Sequence, residues 1–265
     1  MNGKDQTVDA DMAQIFQSGI PFDVTHRALP GVRPADPDGW LLVDDAFSQQ
    51  LAYRMQLIET RRDVVHCLQD SARPAADELF AAALDLMAGQ PDRGYQVDGS
   101  EVSRPDGVRV RIDQTDPLGS LAHLVQEDLC ILEKVGDEHV LTGAILCFPA
   151  SWSLAEKFQR PLTRIHDPVP SYDDQIAVRV QRLFDGVQVG RPLWRFNRLW
   201  YAHPDLHQPR RRTDPPRPKP EPGMPHYFRS EKQVVFRLPQ TKAVIFSIHT
   251  FVLPEGVVPD GAEWP

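Results

Sequence analysis

Apolar residues recur at two different intervals along the chain, and the change of interval separates helices from strands. Over 46–69 and 74–88 a spacing of three and four predicts two amphipathic helices joined by a short link. They would form a helical hairpin packed on the rest of the chain. Residues 39–47 are expected to be a short strand or an extended approach to the first helix, with Asp44 or Asp45 as its N-cap.

The second half of the chain is dominated by extended segments. Two of them flank Val135-Gly136-Asp137-Glu138, which is a good hairpin signal. Further strands are predicted over 107–113, 192–202, 233–239 and 243–253, and further helices over 117–127, over 173–187 and in the stretch that leads to His166. Helices first, then mostly antiparallel strands with inserted helices, indicate an α+β domain.

The chain divides into one large domain with two short ends. We expect a flexible N-terminus at 1–20, a single domain over 21–255 and a tail at 256–265. Residues 208–225 contain seven prolines and a cluster of arginines. This composition excludes regular helix and sheet, so the sequence predicts an extended loop there, a candidate lid.

Composition and charge narrow the class of protein. The formal net charge of −8 argues against a general binder of nucleic acid or anionic membranes. No apolar run approaches the roughly 18–20 residues that span a bilayer, and the N-terminus lacks the pattern of a signal peptide. Three widely spaced cysteines among apolar residues suit a reducing cytoplasm, where we expect the protein.

A titratable side chain stands at a rigid corner of the predicted structure. The helix ending at His166 is followed by Asp167-Pro168-Val169-Pro170, whose prolines fix the path of the chain. A neutral imidazole can bind a haem iron through Nε2 while a carbonyl or carboxylate holds Nδ1–H. The alternative is a capped or solvated histidine. Sequence motifs for dinucleotide, phosphate, serine-hydrolase or zinc chemistry are absent from the chain.

Basic residues precede this histidine. Lys157, Arg160 and Arg164 are three and four residues apart, hence on one face of a helix. They would pair with carboxylates such as haem propionates, or face solvent.

Two further groups are candidates for a pocket. Glu127 and Asp128 lie where a predicted helix passes into a strand, and they would either relay protons or cap the junction. In the strand "WRFN" alternation places Arg195 and Asn197 on one side. That side is either a polar binding wall or solvent-exposed.

Five stretches of the chain form a specific set by their order and spacing. They are "QEDLCIL", "LCFPASWSLAEKFQRPLTRIHDPVPSY", "VQRLFDG", "GRPLWRFN" and "RLPQTKAVIFSIHTF". Over roughly residues 21–255 this set resembles the haem-dependent oxidative N-demethylases. Gln159 stands where members often carry Gly, "WRFNRLW" replaces a shorter WRxNW pattern, and the proline-rich loop is longer than expected.

The resemblance implies a PAS-like haem domain, in which helices wrap an antiparallel sheet and haem b lies between them. It also implies that a small secondary amine, similar to dimethylamine, loses a methyl group as formaldehyde in an O₂-dependent reaction. Electrons would come from a separate reductase subunit that carries flavin and a 2Fe-2S cluster, since this chain has no sequence for those groups.

The resemblance also suggests residue roles. His166 would be the proximal haem ligand, with His123 as the next choice, and Lys157 and Arg160 would bind the propionates. The predicted catalytic residues, two acids and a polar wall, are Glu127, Asp128, Arg195 and Asn197. The alternative functions are a haem-based gas or redox sensor of the same fold, and an interaction subunit without cofactor.

Overall fold

The helices and strands are taken from a computed structural model, which describes residues 14–25, 31–165, 174–221, 223–259 and 262. The α-helices of these ranges are α1 Phe47–Val65, α2 Arg73–Gly89, α3 Pro117–Ala122, α4 Leu154–Lys157, α5 Leu162–Ile165 and α6 Asp174–Gly186. Single turns of 3₁₀ helix lie at Asp70–Ala72, Pro91–Arg93 and Glu255–Val257.

The strands form one large and one small antiparallel sheet. They are β1 Arg33–Pro34, β2 His66–Leu68, β3 Gln96–Asp98, β4 Glu101–Ser103, β5 Arg109–Arg111, β6 Asp128–Val135, β7 Glu138–Ile145, β8 Leu193–Tyr201, β9 Tyr227–Arg237 and β10 Val244–Pro254. The large sheet has the order β1-β8-β9-β10-β6-β7-β2, and β3-β4-β5 form the small one. The α+β prediction with a large antiparallel sheet is confirmed.

The two faces of the large sheet bury two different cores. Along β10, Ile245 packs into a core with side chains of α1, α2 and α3 such as Leu51, Leu79 and Leu121. We call this side the first face. Val244 and Ile248 point the other way, because side chains of a strand alternate.

The opposite side, here named the second face, is covered by the inserted helices. Its core contains Leu154 of α4, Leu162 of α5 and Phe184 of α6, packed on strand residues such as Cys130 and Val235. The helices inserted between the β6–β7 hairpin and β8 therefore cover one side of the sheet, and the N-terminal helical hairpin covers the other.

Most of the predicted elements are confirmed, with differences at their ends. The first helix ends at Val65 instead of 69, because Arg61 has a non-helical backbone and His66–Leu68 pair with β7. The helix predicted over 117–127 stops at Ala122. β9 begins at Tyr227, six residues before the predicted strand.

The prediction of one continuous helix before His166 is wrong. The segment forms two helices, α4 and α5, of four residues each, separated by a break at Gln159, whose φ of 59° lies in the left-handed region. The N–H of Gln159 donates to the carbonyl of Leu141. Lys157, Arg160 and Arg164 therefore do not share one helical face.

Residues 208–225 form no helix or strand in their described part, as predicted. The loop is tied to the chain segment around α4. Arg210 N–H donates to the Trp152 carbonyl, and Arg212 N–H donates to the Glu156 carboxylate. The guanidinium of Arg217 lies 4.3 Å from the ring centroid of Tyr201. These contacts place the loop beside the helices of the second face.

Candidate functional site

Polar side chains from two neighbouring strands meet on the second face. Arg195 and Asn197 of β8 lie opposite Gln233 and Glu231 of β9 in the strand register. Asn197 Nδ2 donates to Glu231 Oε2 over 2.7 Å, and Asn197 Oδ1 accepts from the Glu231 N–H over 2.8 Å. Gln233 Nε2 donates to the same carboxylate oxygen over 3.1 Å. Two amide side chains therefore hold the Glu231 carboxylate in place.

The polar wall predicted from Arg195 and Asn197 exists, and the second strand adds to it. Glu231 was missed because the strand was predicted to begin at 233. The signal was nevertheless present in the sequence, since the polar residues Arg229, Glu231 and Gln233 alternate just before the apolar run.

Several buried polar atoms of this wall have no hydrogen-bond partner among the described residues. They are Arg195 Nε, Arg229 Nε and Thr250 Oγ1. Thr250 is 1% exposed and lies directly opposite Glu231 on the other neighbouring strand, β10. Burial lowers the pKa of Arg195, and the charge of Glu231 partly offsets that effect. An unpaired buried polar group costs free energy, so a wall of this kind is suited to a polar ligand.

Arg229 anchors the end of the wall. Its guanidinium donates to the carbonyls of Phe148 and Leu206 at 2.6 and 3.0 Å, and one of its nitrogens lies 3.6 Å from Glu231 Oε1. It therefore fixes the chain between β8 and β9 to the segment after β7.

The carboxylate of Asp128 is occupied by the protein itself. Its Oδ1 accepts from Arg54 over 2.6 Å and from the Cys147 N–H over 2.7 Å, and its Oδ2 accepts from the Phe148 N–H over 2.8 Å. Arg54 is 0% exposed and Asp128 is 1% exposed. These contacts connect α1, β6 and the segment after β7. Asp128 therefore stabilises the packing of these three parts of the fold.

Glu127 lies on the first face, away from the polar wall. Its Oε1 accepts from the Leu42 N–H over 2.7 Å and contacts His249 Nδ1 at 2.9 Å, while His249 Nε2 is 3.0 Å from Asp44 Oδ2. Burial alone would lower the pKa of His249, but Asp44 and Glu127 outweigh it and raise the pKa to about 9. The structure thus separates Glu127 from Arg195 and Asn197, with which it was predicted to share a pocket.

The basic candidates differ in their surroundings. Lys157 is buried, and its Nζ donates to the carbonyl of Ile165. Arg160 is exposed, and its backbone bonds to Lys157 and Leu141. Ile165, the residue before His166 in the sequence, packs against the second-face core. His166 itself lies outside the described residues.

Two other histidines bear on the choice of ligand. His123 follows α3, whose apolar residues belong to the first-face core, so it is remote from the polar wall. His207 is buried, with Nδ1 2.7 Å from the Cys147 carbonyl, and its Nε2 has no partner among the described residues. Burial lowers the pKa of His207. Nothing in the spacing of the histidines along the sequence distinguished His207 from the others.

None of the described helices is long and apolar enough to cross a membrane. A comparison with protein families gives one result that covers most of the chain. The family model described as haem-dependent oxidative N-demethylase, alpha subunit-like, matches residues 31–265. The match includes the polar wall, the inserted helices and the sequence around His166. The chain therefore belongs to the haem-dependent oxidative N-demethylase alpha subunit-like family.

Proposed function

We propose that this chain is the haem-binding catalytic subunit of an oxidative N-demethylase. In this proposal the domain is PAS-like, and haem b is held against the second face with His166 as the proximal ligand. The inserted helices α4 to α6 cover that face, and the residue before His166 packs on its core. The sheet with helices over one side supports the placement of a flat cofactor between them.

The observation that carries the proposal is the set of unpartnered buried polar atoms on this face. Arg195 Nε, Arg229 Nε and Thr250 Oγ1 are buried atoms without a partner among the described residues, so they are available to a ligand. Each unpaired group of this kind costs about 1–3 kcal/mol, which a bound polar ligand would offset. The residues therefore fit a cofactor and a polar substrate on this face.

The residues of this face would contribute to the reaction in different ways. Bound haem would supply the activation of O₂. Arg195 offers a fixed charge and an N–H donor, which act strongly in a dry pocket. Asn197 holds the Glu231 carboxylate. Lys157 and Arg160 stay the proposed partners of the propionates, and Lys157 also ties α4 to the end of α5.

The catalytic contribution predicted for Glu127 and Asp128 stays a prediction. Glu127 Oε2 has no partner among the described residues, so this oxygen can accept a further hydrogen bond. The oxygens of Asp128 are already occupied, which favours its structural contribution.

The electrons would come from a separate subunit that carries flavin and a 2Fe-2S cluster. The family description names an alpha subunit, which implies a complex of several subunits. The proposed substrate is a small secondary amine similar to dimethylamine, demethylated to formaldehyde.

Titration of the purified protein with haemin tests the proposal. We expect one saturable equivalent and a Soret band, and His166→Ala should abolish or strongly shift that band. The matched control is His203→Ala, which removes an exposed histidine and should leave the spectrum unchanged. Identical spectra for both variants and the wild type would move the ligand elsewhere, with His207 as the first described candidate.

The reduced haem protein with its reductase should then release formaldehyde from dimethylamine. A stable oxygen complex without formaldehyde across a panel of amines would favour a gas or redox sensor, since the donor at Arg195 also suits a diatomic ligand. A protein that never forms a saturable haemin complex would favour the interaction subunit.

A further inference from the structure

We propose that residues 210–219 of the proline-rich loop, here named the basic loop, form a docking surface for an acidic face of the electron-donor subunit. The identity of the partner rests on the proposed function. The docking surface itself follows from the charge and the shape of the loop.

The basic loop has a charge opposite to that of the whole chain. Residues 210–219 contain four arginines and one lysine against a single acid, Asp214, in a chain whose formal net charge is −8. The side chains of Arg211, Arg212 and Lys219 are exposed and have no hydrogen-bond or ion-pair partner among the described residues. These three charges are therefore available to an anionic surface.

Asp214, the only acid of the loop, closes a turn instead of neutralising its neighbours. Its Oδ2 accepts from the Arg211 N–H over 2.6 Å, and its own N–H donates to the Arg211 carbonyl over 3.1 Å. The Asp214 carbonyl accepts from Arg210 Nη2 over 2.9 Å. The turn thus fixes the backbone that carries Arg211 and Arg212, and leaves their guanidinium groups exposed.

The rest of the loop is held in shape by prolines and by one anchored arginine. Prolines at 215, 216, 218 and 220 restrict the backbone to extended conformations. Between them, Arg217 Nη1 donates to Gln208 Oε1 over 2.7 Å, and the Arg217 guanidinium lies over the ring of Tyr201. A loop that is ordered before it meets a partner loses little conformational entropy when it binds.

The position of the basic loop favours an electron donor as the partner. The Arg210 N–H donates to the carbonyl of Trp152, whose side chain packs against the second-face core. The loop therefore lies at the rim of the face on which haem is proposed to bind. Because the rate of electron transfer falls steeply with distance, a donor docked at this rim would be well placed to reduce the haem.

The residues of the loop favour a protein partner over nucleic acid or a membrane. Residues 208–225 contain no aromatic side chain on which bases could stack, and no run of apolar residues that could enter a bilayer. The net charge of −8 also repels a long polyanion. A compact acidic patch on a protein can face the loop alone.

Exposed charges of this kind act mainly on the rate of association. A single exposed ion pair contributes little to affinity. Several charges of one sign attract an oppositely charged surface over a distance, which raises the association rate constant at low salt. The docking surface is therefore expected to show its effect in that rate constant and in its dependence on salt.

The experiment measures docking separately from catalysis. The probe is a purified 2Fe-2S ferredoxin of strongly negative net charge, which stands in for the donor. Surface plasmon resonance gives its association rate constant with the haem-loaded protein at about 0.01 M and about 1 M salt, where the Debye length is about 30 Å and about 3 Å.

Two double variants are compared with the wild type. Arg211→Glu with Arg212→Glu reverses the charge of the basic loop. The matched control, Arg109→Glu with Arg111→Glu, makes the same change of net charge at exposed positions of β5, in the small sheet that packs on the first-face core. Neither variant removes a described side-chain contact, so both are expected to fold.

The loop variant should associate about 10-fold more slowly than the wild type at low salt, and at nearly the same rate at high salt. The control should stay within about threefold of the wild type at low salt, because its charges lie away from the docking surface. Equal rates for the loop variant and the wild type at low salt would overturn the docking surface. So would an equal loss in both variants, which would reflect net charge alone.

The remaining outcomes separate the kinds of partner and the two proposals. Tighter binding to a single-stranded DNA oligonucleotide or to phosphatidylglycerol vesicles than to the ferredoxin would overturn the assignment of an acidic protein. A wild-type chain that takes up no haemin overturns the proposed function. A chain that takes up haemin but associates at the same rate in all three forms overturns only the docking surface.

Discussion

At the residue scale, Asp128 shows how a buried charge is held in place. Its carboxylate receives the fully buried Arg54 and two backbone N–H groups at the start of the segment after β7. The removal of one partner of a buried pair leaves the other charge uncompensated, which costs far more than the loss of a surface pair.

We predict that Asp128→Asn lowers the free energy of unfolding by about 3 kcal/mol or more. Asp77→Asn is the matched control, because it removes an exposed carboxylate paired with Arg73 one helical turn away, and its effect should stay within about 0.5 kcal/mol. Urea denaturation followed by tryptophan fluorescence measures both. Equal effects of the two substitutions would show that the pair with Arg54 contributes little.

Gln159 is a second residue that affects the stability of the protein, in this case through its backbone conformation. Its φ of 59° places a side chain in the left-handed region, which costs roughly 1–2 kcal/mol for a residue with a Cβ atom and nothing for Gly. Its side chain is exposed, so little packing depends on it.

Gln159→Gly should therefore raise the free energy of unfolding by up to about 1 kcal/mol, after the greater freedom of glycine in the unfolded chain is subtracted. Gln159→Ala removes the same side chain but retains Cβ, and should give no such gain. Thermal unfolding of the three proteins checks this. A gain with Ala as large as with Gly would mean that the side chain, and not the backbone, is the source of strain.

At the scale of elements, the start of α3 depends on a single side chain. Asp116 is the N-cap of this helix, and its Oδ1 accepts from the Gly119 N–H over 3.1 Å. The same carboxylate pairs with Arg62 near the end of α1. A Cβ atom added at Gly119 would lie 1.9 Å from Asp116 Oδ2, so the carboxylate would have to leave.

We expect Gly119→Ala to lower the free energy of unfolding by about 1–2 kcal/mol, the range for a lost N-cap. Gly89→Ala at the end of α2 is the control, because an added Cβ there meets nothing within 4 Å. Chemical denaturation compares the two variants. A Gly119→Ala protein as stable as Gly89→Ala would show that the cap does not hold α3.

At the scale of the whole molecule, His249 joins three distant parts of the chain. Its ring contacts Asp44 before α1 and Glu127 before β6, and it lies on β10. Gln17 reinforces the cluster through Asp44 and the Thr250 carbonyl. Lys232 lies close enough for its charge to interact with Glu127.

The pH dependence of this cluster follows from the direction of each pKa shift. His249 has a pKa of about 9 in the folded protein against an ordinary 6.5, so its contribution is complete below about pH 6.5 and is lost as the pH rises through 9. Burial would raise the pKa of Asp44, but His249 lowers it overall. The Asp44 contribution is therefore present above its ordinary pKa of 3.8 and is lost as the pH falls further.

His249→Gln should thus lower the free energy of unfolding by about 3–5 kcal/mol near pH 6, the cost of breaking a buried charge network. The difference from the wild type should shrink between pH 7 and pH 10. His203→Gln, an exposed histidine, should show no such trend. Urea denaturation at several pH values measures the difference in the free energy of unfolding between His249→Gln and the wild type. A difference that stays constant up to pH 10 would mean that His249 is not protonated in the folded protein.

The sequence by itself determined the elements with strong local periodicity. The β6–β7 hairpin, α2, α6 and the irregular loop at 208–225 agree with it, because spacing, turn residues and prolines act over a few neighbours. The sequence also placed Arg195 and Asn197 on one side of a strand, since alternation is a property of the strand alone. The motif order was specific enough to identify the family.

Only the tertiary structure decided where these residues act. Local spacing cannot show that His66–Leu68 leave the first helix to pair with β7, or that the helix before His166 breaks at Gln159. Glu127 and Asp128 are adjacent in sequence, but alternation directs them to different partners, Asp128 to Arg54 and Glu127 to His249. These pairs join residues 74 and 122 positions apart, and Glu231 meets Asn197 across 34. Such contacts, and the burial that gives them their strength, exist only once the strands have paired.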